Sequence, residues 1–161
     1  MEHVTAPALF LNMDAAGPAS PFVERPQTCE REFPIGPNAV LRARLHARTR
    51  LTTMSWHGDQ DEALLIVDVL MANAVKHVEP QHPSDEIRLG LSVDDDETLL
   101  ISVTDPSPAF PNFEEARAAA GKGFALVQLL GGELSWFIPE DGTSKTVQAL
   151  IRYRPTPGGT H

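Results

Sequence analysis

Between residues 61 and 77 the chain reads Asp-Glu-Ala-Leu-Leu-Ile-Val-Asp-Val-Leu-Met-Ala-Asn-Ala-Val-Lys-His. Its apolar positions cover nearly the whole circumference of a helix, which predicts a central helix packed on several sides rather than one with a broad wet face. Upstream, residues 29–33 read as a short edge strand ended by Pro34, and Gly36-Pro37 opens another helix. Glycine suits the cap there, and proline the first position, where no amide hydrogen is needed. This helix, over residues 37–54, is predicted to turn Val40, Leu41, Leu45, Leu51 and Met54 inward. Residues 85–93 alternate cleanly, with Ile87, Leu89, Leu91 and Val93 on one side and Arg88, Gly90 and Ser92 on the other. Residues 98–104 alternate less strictly, and the acidic turn Asp94-Asp95-Asp96-Glu97 joins the two as an antiparallel hairpin. Pro106, Pro108 and Pro111 then force a loop. A short helix over 114–120, an apolar helix over 124–130 and strands over 133–138 and 144–153 complete the pattern, with Gly131-Gly132 and Asp141-Gly142 as stops.

With helices grouped and strands mostly in hairpins, the predicted class is α+β: a two-layer sandwich with helices on one face of a mixed, mostly antiparallel sheet. Residues 1–27, broken by Pro7, Pro18, Pro21 and Pro26, are expected to be a flexible tail whose Phe10, Leu11 and Phe22 could dock on the domain or on a second subunit. Residues 28–154 form the single folded domain, and residues 155–161 a disordered tail.

A hydrophobic fraction of 42% in 161 residues is enough for one real core. The formal charge of −9 argues against nucleic acid as a partner, because phosphate backbones are held by clustered Lys and Arg. Arg42, Arg44, Arg48 and Arg50 are a local exception: a solvated helix face, or a patch for an acidic partner or a nucleotide's outer phosphate. The single Cys29 reads as an ordinary buried thiol in a reducing compartment. No apolar run reaches the length of a bilayer span and the N-terminus lacks a signal-peptide pattern, so the expectation is a cytoplasmic protein with no membrane contact.

Three spaced signals carry candidate chemistry. Asn73 interrupts the apolar coat of the central helix, and Lys76 and His77, one turn on, point the same way. A buried amide without partners costs about 1–3 kcal/mol, so Asn73 bonds either a loop backbone or a ligand. Asp105 ends a strand before the proline loop. Gly121-Lys122-Gly123 precedes Phe124, and glycines ahead of a helix leave backbone N–H groups open to an anion. Ser144-Lys-Thr-Val147 opens the last strand, where alternation sets Thr146 on the sheet face opposite Val147, Ala149 and Ile151.

In their joint order these segments resemble the GHKL (Bergerat-fold) ATP-binding domain of gyrase, heat-shock chaperones and histidine kinases, and within it the anti-sigma-factor serine kinases of actinobacteria. The resemblance runs over residues 29–154. It implies ATP and Mg2+ as cofactors, with Asn73 as the metal ligand and Asp105 as acceptor for the adenine amino group. Gly121, Lys122, Gly123 and Phe124 would belong to a phosphate lid, Lys76 and His77 would lie near phosphate, and Thr146 would help to hold adenine. It further implies a protein partner, either a sigma factor or an anti-anti-sigma-like protein, and homodimers formed through the exposed sheet. Two departures stand out. The kinases place a glutamate four residues before the magnesium asparagine as general base, and here that position is Val69, with Asp68 adjacent as a candidate displaced base. Pro106-Ser107-Pro108 stands where the wider family prefers glycines. The reading is therefore an ATP-binding regulator resembling an anti-sigma factor with weak or no phosphoryl transfer. The alternatives are an active serine/threonine kinase acting on an anti-anti-sigma partner, a histidine-kinase-type catalytic fragment, or an interaction module that binds no nucleotide.

Overall fold

The computed structural model of the chain describes residues 27–78, 82–108 and 123–153. The short helix expected over 114–120, Gly121, Lys122 and nearly all of both expected tails lie outside them. Five strands form one sheet in the order β1-β2-β3-β5-β4: β1 is Gln27–Pro34, β2 Glu86–Val93, β3 Thr98–Asp105, β4 Glu133–Phe137 and β5 Lys145–Arg152. All four pairings are antiparallel, so the parallel component of the expected mixed sheet is not found among the described strands. The reason is local. β4 and β5 form a hairpin whose second strand returns along β3, leaving β4 at the edge.

The alternation in the sequence becomes the two faces of this sheet. Leu89, Leu91 and Val93 of β2, Leu99, Ile101 and Val103 of β3, and Val147, Ala149 and Ile151 of β5 are buried in one cluster with the helices. The opposite face is mixed: Gly90, Ser102, Gln148 and Ser135 stand in register across four strands, with Leu100 and Leu150 paired beside them. Gln148 Nε2 donates to Ser135 Oγ at 3.1 Å there. The β2–β3 turn is held by Asp94, whose Oδ1 accepts the N–H groups of Asp96 and Thr98, both at 2.9 Å.

Helix α1 (Ala39–Thr53) corrects the expected inner face. Leu41 and Leu45 are 58% and 54% exposed, while Ala39, Ala43, Ala47 and Leu51 are buried. Those four recur every four residues, and methyl side chains let the helix approach its neighbours closely. Gly36-Pro37 forms the turn before the helix, where the Ala39 N–H donates to the Gly36 carbonyl at 3.1 Å.

Helix α2 (Gln60–His77) is the central element, packed against α1, the sheet and helix α3 (Gly123–Leu129). Asp59 caps it, its Oδ1 accepting the Glu62 N–H at 3.0 Å. Ala63, Leu64, Ile66, Val67, Leu70, Met71 and Ala74 are buried. Leu65 stays 41% exposed, so the apolar coat is not fully covered among the described residues. The turn between α1 and α2 is tied to the β2–β3 turn by Trp56, whose Nε1–H donates to the Glu97 carbonyl at 3.1 Å.

Candidate functional site

The chemistry-bearing positions gather where the last turns of α2 meet the end of β3. Asn73 and Val69 lie one turn apart on the same flank of α2, both half-buried. That flank faces the start of α3: a Cβ built on Gly123 would lie 2.8 Å from Val69 Cγ1. Lys76 and His77 follow in the last turn, exposed. His77 is near enough to Asp105 for its charge to favour the carboxylate, which links the end of α2 to the end of β3.

Asp105 belongs to the inward-facing set of β3 and is buried. Its Oδ1 accepts the Ser107 N–H at 2.9 Å, an Asx-type turn that lets the chain leave the strand into Pro106-Ser107-Pro108. Directly opposite in register stands Lys145, the first residue of β5, whose Nζ lies 3.2 Å from Oδ2 and 3.4 Å from Oδ1. Burial pushes the Asp105 carboxyl above its ordinary range, and the Lys145 ammonium, the Ser107 N–H and His77 each pull it back. Lys145 is the site residue the sequence reading passed over. The signal was present in the alternation, because Lys145 is in phase with Val147, Ala149 and Ile151.

Several expected members fall elsewhere. Thr146 is on the outer face of the sheet, where its Oγ1 lies 2.7 Å from Thr104 Oγ1, so a role at a base on the helix side is corrected. Phe124 is a core residue, which leaves only its backbone for a ligand. Asp68 lies toward α1 rather than beside Val69, because one residue along a helix is a rotation of about 100°. It is held there by the Arg44 guanidinium. Burial raises its carboxyl pKa, with Arg44 acting against the shift. A base tethered in that way is not aimed at the Asn73 flank. Gly121 and Lys122 lie outside the described residues.

The arrangement divides in its fitness for a nucleotide with a divalent cation. Asn73 offers an oxygen on an accessible flank, with two nitrogen-bearing side chains one turn away. No group of three His, Cys, Asp or Glu side chains that could hold a metal occurs among the described residues, so a cation there would lean on Asn73, water and phosphate oxygens. The base side fits less well, since the Asp105 carboxylate is already engaged by Lys145.

Away from this site, a cleft of about 610 Å³ lined by Trp56, Glu62, Glu133 and Tyr153, among others, lies toward the opposite end of β5 and contains none of the expected site residues. Cys29 Sγ lies 3.5 Å from His46 Nε2, a contact between β1 and α1 that sequence spacing did not reveal. Burial raises the thiol pKa, so the pair is not an activated thiolate. No described helix is long and apolar enough to cross a membrane.

The α+β arrangement of helices over a five-stranded antiparallel sheet is a fold of the GHKL type. Over 79% of its length this chain is similar to the crystal structure of the RsbU and RsbW domains of Rv1364c from Mycobacterium tuberculosis, with a TM-score of 0.54 and 18% identity. The match spans 33% of that chain. A histidine kinase domain from Erythrobacter litoralis EL346 blue-light activated histidine kinase covers 89% of this chain at a TM-score of 0.49 and 19% identity, matching 69% of its own length. No protein-family model and no curated protein matches the sequence.

Proposed function

We propose that this chain is an ATP-binding regulatory protein of the partner-switching kind, resembling an anti-sigma factor, with weak or no phosphoryl transfer. Mg2+ would be held by Asn73, and Lys76, His77 and the Gly121-Lys122-Gly123 segment would lie on the phosphates. Asp105 would accept from the adenine amino group. The partner would be a sigma factor or an anti-anti-sigma-like protein, met in the cytoplasm, with dimerisation through the sheet face turned away from the helices.

The observation that carries this reading is the contact between Val69 and Gly123. By the resemblance a general base would stand at this position on the Asn73 flank, and the aliphatic Val69, against which the start of α3 packs, can accept no proton. Loss of such a base lowers a rate by about 10²–10⁴. The alternative of an active kinase needs Asp68 as base, and the Arg44 ion pair weighs against that.

Thermal unfolding with and without ATP and Mg2+ tests the binding. A ligand at a hundred times its Kd adds about 2.7 kcal/mol of stability, and Asn73→Ala should abolish the Mg2+-dependent part. Transfer of labelled phosphate to an anti-anti-sigma-like partner by the native chain at an ordinary kinase rate would refute the regulatory reading. Co-purification of a partner that changes with added ATP would support it.

A further inference from the structure

The Asp105–Lys145 pair bears directly on how a base would be recognised. Their side chains are 1% and 3% exposed, facing each other across β3 and β5. One carboxylate oxygen holds the Ser107 N–H, and the Lys145 ammonium lies against both oxygens. A purine amino group must come within about 3 Å of a carboxylate oxygen to donate to it. While Lys145 stays in place, that donor would have to share a buried carboxylate with its ammonium. Lysine is a point charge on a flexible four-carbon stem, so it can withdraw without moving the strand.

Resting on the nucleotide reading above, we propose that Lys145 is a built-in competitor for the purine amino group. A base reaches the Asp105 acid only when the ammonium gives way. This makes Lys145 a specificity-determining residue that lowers both affinity for ATP and preference for an amino-bearing base. Shortening Lys145 leaves the buried Asp105 carboxylate without its ammonium, and the amino group of the base then takes that place.

The test uses calorimetry on the full chain with ATP and with purine riboside triphosphate, which lacks the 6-amino group. The native chain is expected to bind the two within about twofold of each other, because the 6-amino group reaches Asp105 only at the cost of the Lys145 contact. Lys145→Thr should bind ATP about tenfold tighter than the native chain and prefer it about tenfold over the analogue, each ~1.4 kcal/mol. Lys145→Arg, which keeps a cation, should behave as the native chain does. Lys145→Gln, which keeps a neutral donor on Asp105, serves if the threonine variant does not fold, with a smaller gain of the same sign. A native chain that already prefers ATP about tenfold would overturn the proposal. So would a folded Thr or Gln variant that gains neither affinity nor preference while the native chain binds ATP, and in both cases the nucleotide reading stands. Failure of the native chain and of every folded variant to bind either triphosphate overturns both.

Discussion

Gly123 stands where any side chain would run into Val69: an added Cβ would lie 2.8 Å from Val69 Cγ1 and 3.7 Å from its Cβ. Valine is stiff about χ1, so it cannot swing its methyl groups clear as a long side chain would. The contact explains how α3 comes so near to α2. It also ties the aliphatic residue on the Asn73 flank to the first residue of α3.

Gly123→Ala is therefore expected to destabilise the chain by about 1–3 kcal/mol, the usual range for overpacking. On helix propensity alone the change would be neutral or favourable, by no more than about 1 kcal/mol, so the sign is diagnostic. Adding Val69→Ala should recover most of the loss. Urea unfolding of the two single variants and the double variant decides it, and a Gly123→Ala chain as stable as the native one rules the contact out.

Helix α1 makes the second prediction, by contrast between neighbouring positions. Ala47 is fully buried against the core, and Ala47→Leu should cost about 1–3 kcal/mol as the extra methylenes push the helix away. Leu45 is more than half exposed, and Leu45→Gln should change stability by no more than about 0.5 kcal/mol. The inner face expected from the leucines gives the opposite order. Thermal melts of the two variants separate the two faces.

That contrast shows where the chain was legible. Strand phases were readable because side chains alternate strictly: Ile87, Leu89, Leu91 and Val93 all face the helices as their spacing implied. The same alternation kept Thr146 off the helix face and put Lys145 on it. The inner face of α1 misled because alanine carries little hydrophobic weight, while a close helix contact selects for its small size. Strand order was not legible either, since a hairpin such as β4–β5 can add to a sheet by either of its strands. The Arg44–Asp68 and Cys29–His46 contacts join residues more than fifteen positions apart, and nothing local announces them.

His46 gives a pH-dependent prediction. Its ring is half-buried edge-on to Phe33, beside Cys29 and near Arg31 and Arg50. Burial, then Arg31, then Arg50 hold its pKa below the ordinary 6.5. The unfolded chain then takes up a proton near pH 6.5 that the folded chain resists, so stability contributed here is present at higher pH and lost as pH falls through that value. The native chain should lose more stability between pH 7.5 and pH 5.5 than His46→Gln does, in urea unfolding at the two pH values. Equal losses would mean that the imidazole titrates alike in both states.

The Asp105–Lys145 pair makes the last prediction, on stability without any ligand. Asp105→Leu removes the carboxylate that faces the buried Lys145 ammonium and should cost about 3–5 kcal/mol, the usual effect of removing one partner of a buried pair. Lys145→Met strands a carboxylate whose pKa burial already raises, so protonation offers it partial relief. Replacing both by Leu and Met removes the desolvation penalty with the attraction and should leave the chain more stable than Asp105→Leu alone. The coupling energy is expected to be about 1–3 kcal/mol, read from urea unfolding of all four chains at pH 7. The sign with pH follows from the raised carboxyl. A folded-state pKa above 3.8 means that on acidification the folded chain takes up the proton first, so the penalty of Lys145→Met shrinks as pH falls toward that value. A penalty that instead grows in acid, or single costs that simply add in the double variant, would show that the two charges are stabilised separately rather than by each other.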